Sequence, residues 1–368
     1  MRVAANCSFI QPGVVGGSEE FVVRLLRSVL AHGGDDVELD VVAPPAFLDA
    51  YPDIADRAIA RLRGPTSIKP YRVLAESVWL PGKTADADVT HHFGGRVPSR
   101  HSQPAIVTIH DIQPLDLPQN FSSAKSGFLA WALPKSVRAA EVVCTPTRWV
   151  ADRIIDRLAV DPDKVRVVGP ALGPRPTVSQ RDLVPRELRH RRIVLFPGIT
   201  HPHKNHVTLV EAMARVAEVV PDAVLVLTGG RGAADAQVQE VMARVDPHGT
   251  LIRHLGRIDE PLLRGLLAEA HVLAFPSRYE GFGLPILEAM QAGTAVVAAA
   301  ATCQPEVVGD AGLLVATDDV DAWAAEIIGV LEDDERRAGL AMAGSVRAEA
   351  FAPDVAAGRL IDAWRVCA

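Results

Sequence analysis

The residues best suited to chemistry lie in one run, Pro276-Ser277-Arg278-Tyr279-Glu280-Gly281-Phe282-Gly283-Leu284-Pro285-Ile286-Leu287-Glu288. An apolar β-type stretch ends at Phe275. A helix begins with Pro285 in its first turn, where a missing N–H costs nothing. Gly281 and Gly283 let a backbone come close to a ligand. The helix start offers unpaired N–H groups and the positive end of a dipole, which together attract anions. Glu280 stands before this anion site and Glu288 about one turn inside the helix. Carboxylates on both sides of an anion site call for a further partner, and sugar hydroxyls fit them. Taken singly, Glu280 is an ordinary cap and Glu288 an ordinary solvated helix residue. Their combination argues for a ligand carrying both phosphate and hydroxyls.

Three other places carry weaker signals. Lys204 lies in the run Phe196-Pro197-Gly198-Ile199-Thr200-His201-Pro202-His203-Lys204-Asn205, between a strand and a helix, where a cation can neutralise a diphosphate over the strand ends. His110 ends the run Ile106-Val107-Thr108-Ile109, at the carboxyl edge where open α/β sheets bind ligands. Gly16-Gly17-Ser18-Glu19 forms a turn that opens a helix. It lacks the three glycines of the dinucleotide fingerprint, which speaks against a nicotinamide cofactor. His201, His203 and His206 fit no common zinc spacing.

These residues need strand ends to hold them, and the chain supplies many. Short β-branched runs at 37–43, 105–109, 141–145, 164–168, 192–196, 223–228, 250–255, 271–275 and 295–298 predict buried strands. Amphipathic helices lie between many of them. One carries Phe21, Val22, Leu25, Leu26, Val29 and Leu30, with Ser18 as expected N-cap and Gly33-Gly34 as its stop. A second carries Val207, Leu209, Val210, Met213, Val216 and Val220 and stops at Pro221. A last one sets Ala356, Leu360, Trp364 and Cys367 on one face. Strand–helix alternation predicts α/β architecture with parallel sheets covered on both faces. Gly169-Pro170, Gly173-Pro174, Pro176 and Pro185 break the pattern, so 171–191 is expected to link two Rossmann-like domains, 1–170 and 192–352.

Composition narrows the field. The 368 residues carry a net charge of −7, against the basic excess usual in general nucleic-acid binders. Cys7, Cys144, Cys303 and Cys367 are scattered, which suggests neither metal knuckle nor redox pair and fits a reducing cytosol. The expectation is a cytoplasmic protein without signal peptide or membrane span, at most peripheral at the inner face of the plasma membrane. Arg57, Arg61, Arg63 and Lys69 with Tyr71 are the candidate surface for such contact, against the alternative of a solvated helix face.

Glu280, Glu288 and the intervening Gly281-Phe282-Gly283-Leu284-Pro285 resemble the motif of glycosyltransferase family 4. The resemblance continues through Glu288-Ala289-Met290-Gln291-Ala292-Gly293 and Pro305-Glu306-Val307-Val308-Gly309-Asp310-Ala311-Gly312. It implies a retaining, metal-independent enzyme of the GT-B fold, two Rossmann-like domains facing across a cleft. The N-terminal domain would bind the acceptor, the C-terminal domain a nucleotide diphosphate sugar, and helix 353–368 would rejoin the N-terminal domain. No cofactor is implied; the nucleotide sugar is the donor substrate.

By the same resemblance, Glu288 meets the ribose, and Lys204 with the Gly283 and Leu284 amides and the Gly16–Gly17 loop holds the diphosphate. His203 stands where many relatives have arginine. Arg257, Gly281 and Phe282 complete the donor set. Glu280 holds sugar hydroxyls and His110 lies by the reacting face. These last two are the candidate catalytic residues. Asp86-Ala87-Asp88 matches the acidic pattern with which the other large glycosyltransferase fold holds a metal, but reads here as surface. Val89-Thr90-His91-His92 looks like the start of a strand, with His91 and His92 heading a loop to Pro98 on the acceptor side.

His203-Lys204-Asn205 and the Gly281–Pro285 run are most similar to mannosyltransferases of surface polysaccharide assembly, so GDP-mannose is the expected donor. The acceptor would be a glycan, a glycolipid or a small molecule. Two alternatives stand beside this reading: a nucleotide-sugar epimerase of the same fold, and a non-catalytic homologue that binds a sugar nucleotide.

Overall fold

A computed structural model describes residues 1–14, 16–101, 103–173 and 181–368. It divides into two compact units, residues 1–173 with 351–368, and residues 174–350. Of the expected linker, residues 174–180 lie outside the described residues. The rest carries two 3₁₀ turns, Arg181–Leu183 and Arg186–Leu188.

The first unit is built on strands β1 (Arg2–Asn6), β2 (Glu38–Ala43), β3 (Ala58–Arg61), β4 (Val89–His92), β5 (Ala105–Thr108), β6 (Val142–Thr145) and β7 (Val165–Val167). They pair in parallel in the order β3-β2-β1-β4-β5-β6-β7. The second unit uses β8 (Arg192–Pro197), β9 (Ala223–Thr228), β10 (Ile252–His254), β11 (Val272–Phe275), β12 (Ala295–Ala299) and β13 (Leu313–Val315), also parallel, in the order β10-β9-β8-β11-β12-β13. Such sheets are covered on both faces, and accordingly β9, β11 and β12 are buried at every residue. In each sheet the order reverses once, between β1 and β4 and between β8 and β11. At such a reversal the chain leaves adjacent strand ends in opposite directions and opens a crevice.

The strand expectations hold with small shifts. The 250–255 run narrows to β10, because the Asp246 carboxylate accepts the amides of Thr250, Leu251 and Ile252, each at 2.8 Å. The edge strands β3 and β13, four and three residues long, are too short to show a pattern. The N-cap expected at Ser18 is Gly16: the helix is Gly17–His32, and the Glu19 amide donates to the Gly16 carbonyl at 2.9 Å. Gly16 has φ +74°, which a serine would resist.

The last helix, Pro353–Arg365, packs against Gly17–His32 within the first unit, and Ala356, Leu360 and Trp364 join that core. Cys367 lies past the helix end.

His91 and His92 do not head a loop. They are the final residues of β4, 0% and 1% exposed. Trp364 can only donate, and its Nε1 bonds His91 Nδ1 at 2.9 Å, so the His91 proton sits on Nε2 and points to Thr108 Oγ1 at 2.8 Å. The Asn6 carbonyl oxygen accepts from the Ser8 amide, which turns its NH₂ toward His92 Nδ1 at 3.1 Å. Both imidazoles are thus held neutral. Burial drives the pKa of His91 well down and that of His92 to about 3.

This has a sign for stability. Below pH 6.5 the unfolded chain takes up a proton that folded His92 refuses until about pH 3. Stability should therefore fall as pH drops through that window, by about 1.4 kcal/mol per pH unit for each such group. Urea unfolding followed from pH 7 to 4.5 should show a falling midpoint, less steep in His92→Asn. A midpoint independent of pH over that range contradicts the neutral assignment.

Candidate functional site

The second unit's reversal point brings together two of the residues singled out in the sequence. Lys204 lies in the 3₁₀ turn Pro202–Lys204 that follows β8, and Glu280 in the loop that follows β11. Because β8 and β11 are neighbours, the two meet: Lys204 Nζ donates to Glu280 Oε1 at 2.6 Å. Both side chains are mostly buried, 19% and 12% exposed. Lys204 Nζ also lies 5.5 Å from the centroid of the Phe275 ring, the last residue of β11.

A ring of contacts fixes both loops. The Arg278 amide donates to the His203 carbonyl at 2.7 Å, and its guanidinium bonds Asp318 and the Pro202 carbonyl. Asn205, at φ +58°, donates from Nδ2 to the Thr317 carbonyl at 2.8 Å. The Glu280 amide donates to Thr302 Oγ1, and Thr302 takes the left-handed conformation, φ +51°. The Cys303 thiol faces the carbonyls of Glu280 and Phe282, at 3.3 and 3.2 Å. Burial pushes that thiol's pKa well up, so it stays protonated and able to donate. Gln304 donates to the Ser277 carbonyl at 2.6 Å. In the sequence Arg278 and Asn205 appear only as members of longer runs and Cys303 only as a scattered cysteine, and Thr302 and Gln304 do not appear at all. Their roles depend on a crossing of loops distant in sequence, and a left-handed threonine leaves no local signal.

Gly283 precedes the helix Leu284–Ala292 with φ +89°, and an added Cβ would lie 3.3 Å from Ile286 Cδ1. The Gly283 and Leu284 amides stand at the open end of this helix, where N–H groups lack intrahelical acceptors. Glu288 lies within it, half-buried, and Gly281 and Phe282 belong to the loop before it. Arg257 is exposed in the loop after β10, the edge strand of this sheet.

His203 is not a second cation at neutral pH. Its Nδ1 is buried without a hydrogen-bond partner, and its ring stacks on His201 at 5.7 Å. Burial first, and the Lys204 charge second, hold its pKa down at about 4.

In the first unit His110 follows β5. Its Nε2 lies 2.9 Å from the Phe93 carbonyl, which can only accept, so the proton is on Nε2 and Nδ1 carries the lone pair. Burial holds its pKa near 4, partly offset by that bond. Phe21 meets the ring edge-on at 5.3 Å. His110 lines a cavity of about 530 Å³, together with Gly94 and Gly95 of the loop after β4.

Gly16 and Gly17 are exposed, with open space where a Cβ would sit. Their loop is anchored by Glu19, whose carboxylate accepts from the Gly13 amide and from the Tyr51 hydroxyl, the latter at 2.6 Å. Asp86 and Asp88 are exposed, and Asp88 accepts the Arg2 amide at 2.7 Å. Arg57, Arg61 and Arg63 are exposed along and beside β3 rather than on one helix face, while Lys69 opens the helix Lys69–Val78. Among the described residues no three His, Cys, Asp or Glu side chains come together as a metal site, and no helix is long and apolar enough to cross a membrane.

Comparison with known proteins agrees with this geometry. The family described as Glycosyltransferase Family 4 matches residues 15–172, and that described as Glycosyl transferases group 1 matches residues 191–333. The chain is 31% identical over 375 residues to the phosphatidyl-myo-inositol mannosyltransferase of Mycolicibacterium smegmatis, covering 95% of this chain and 90% of that one. It is 29% identical to the O-antigen chain mannosyltransferase B of Escherichia coli, covering 92% and 93%. Among solved structures, Anabaena HepE in complex with UDP and glucose superposes with a TM-score of 0.74 at 18% identity, covering all of both chains. The paired parallel sheets, the loop chemistry at β8 and β11 and these matches lead to one conclusion: the chain belongs to glycosyltransferase family 4, an enzyme of the GT-B fold with mannosyltransferase relatives in glycan and glycolipid biosynthesis.

Proposed function

We propose that this glycosyltransferase moves mannose from GDP-mannose to a saccharide or lipid-linked acceptor in surface glycoconjugate assembly, with retention at the transferred carbon and without a metal. The observation that carries the choice of sugar is that both near-full-length relatives described above are mannosyltransferases. In this reading the Lys204 ammonium and the Gly283 and Leu284 amides receive the diphosphate. Donors aimed at a leaving group stabilise the charge that grows on it in the transition state. Glu288 takes the ribose and Glu280 the hexose hydroxyls. His110 stays neutral and offers Nδ1 as an acceptor for a sugar hydroxyl. Attack occurs on the face from which the diphosphate leaves, and a departing phosphate oxygen takes the acceptor's proton, so no protein nucleophile is needed.

Initial rates with GDP-mannose, UDP-glucose and UDP-galactose test the donor. The expected kcat/KM is highest for GDP-mannose and unchanged by excess EDTA. A higher value for a UDP-hexose overturns the sugar assignment. Loss of activity in EDTA, restored by manganese, overturns the metal-free mechanism.

The Lys204–Glu280 pair gives a sharper expectation. Lys204→Met removes a charged hydrogen bond worth about 1.5–3 kcal/mol, so GDP should bind about one to two decades more weakly. Glu280→Ala should leave GDP binding intact or tighter, since the freed ammonium keeps no competing carboxylate, while turnover falls. Calorimetry with GDP beside steady-state rates separates the two. Weaker GDP binding in Glu280→Ala would contradict this division of labour. Gly283→Ala forces a side chain into the left-handed region at about 1–2 kcal/mol and should displace the amides, lowering both the urea midpoint and GDP affinity.

A further inference from the structure

The cavity beside His110 gathers more positive charge than the first unit neutralises. Among the described residues its lining carries Lys69, Arg72, Arg96 and Lys125 against Glu76 and Asp111. Glu76 is already committed: Arg96 donates to its Oε2 and Ser8 to its Oε1. Asp111 accepts the Gln113 amide at 3.0 Å. Among the described residues Lys69 and Arg72 donate no side-chain hydrogen bond, and Lys125 rests over the Phe121 ring at 4.4 Å.

The cations also disfavour one another. Burial lowers the pKa of Arg72; the Glu76 carboxylate opposes that shift and Arg96 adds to it. Burial and the nearby Lys69 lower that of Lys125, partly offset by Asp111. A chain with a net charge of −7 has acidic residues to spare, yet it leaves this group of like charges in one half-enclosed space. Like charges brought together and partly desolvated are unfavourable until an anion enters among them. A phosphate ester supplies two charges and several acceptor oxygens, enough for an arginine fork and two ammonium groups.

We propose that this cavity is an anion site that takes a phosphate ester borne by the acceptor, with Arg72 and Lys125 as its principal ligands and Lys69 at its rim. This rests on the transferase reading only in calling the ligand an acceptor; the anion site stands on the cavity itself. The phosphate belongs either to a water-soluble sugar phosphate or to a lipid headgroup, and the two share the same recognition chemistry.

The test uses the full chain. Mannose 6-phosphate is titrated by calorimetry, and vesicles of phosphatidylcholine with and without phosphatidylinositol are tested by co-sedimentation. Binding of either phosphate probe is expected, with Arg72→Gln and Lys125→Gln each weakening it about tenfold or more and their combination abolishing it. GDP affinity, which the second unit carries, should stay unchanged in the same variants, and an unchanged far-ultraviolet circular dichroism spectrum with an unchanged urea midpoint certifies that the first unit is folded; Lys69→Gln gives a milder loss on an exposed residue. Binding of the sugar phosphate alone points to a soluble acceptor, and binding of phosphatidylinositol vesicles alone to a lipid-linked one. Phosphate binding without any transfer would leave the anion site standing and remove its role as acceptor site. Absence of binding by both probes, or binding unaffected in the double variant, overturns the proposal.

Discussion

The second unit is organised around one ion pair. Lys204 and Glu280 are 76 residues apart in the chain and 2.6 Å apart in space, both largely withdrawn from water. Taking two charges out of water is costly unless their geometry is good and their remaining hydrogen-bonding capacity is used. What makes the geometry possible is topology. The strand order reverses between β8 and β11, so the loops leaving these strands diverge from a shared edge, and a cation on one faces a carboxylate on the other. The surrounding contacts of Arg278, Asn205, Thr302 and Cys303 serve that arrangement. They fix two backbones that regular secondary structure does not reach, and they include two non-glycine residues in the left-handed region. Strain of that kind persists where the surroundings over-determine it.

The first unit solves a different problem with neutral groups. His91, His92 and His110 each have one ring nitrogen whose role is set by a partner of fixed character: an indole N–H, an amide N–H and a backbone carbonyl. The result is polar rings at the carboxyl edge of β4 and beyond β5 that add no charge. Of the three, His110 lines the cavity, in company with Lys69, Arg72, Arg96 and Lys125. A neutral ring among cations leaves the positive charge of that lining to the lysines and arginines.

Much of this was legible in sequence, and the limits are physical. Strands rich in Val, Leu and Ala, such as β9 and β12, announce themselves because both faces are buried. β3 and β13 are edge strands of four and three residues, too short for a periodic pattern, and they passed unnoticed. The loop from Glu280 to Glu288 was readable because glycine, proline and carboxylates cluster locally. The Lys204–Glu280 contact was not, since pairing of residues so far apart is decided by strand order. The error at His91 and His92 has the same root. From the sequence alone the two histidines head a loop, and only Trp364, arriving from the far end of the chain, and Asn6 from β1 make their burial at the strand end tolerable. At Gly16, side-chain chemistry pointed to Ser18, whereas the backbone angle decided the cap.

The return of the last helix to the first unit sets an order of events during synthesis. The core around Phe21, Leu25 and Val41 is completed by Leu360 and Trp364, and the acceptor nitrogen of His91 finds its donor only in Trp364. Those residues leave the ribosome after the entire second unit. The first unit to be translated is therefore the last to close, and until then its Gly17–His32 helix presents an apolar face to the cell. A nascent chain of this design is exposed to chaperones and proteases for the whole time its second half is being made, however quickly that half folds.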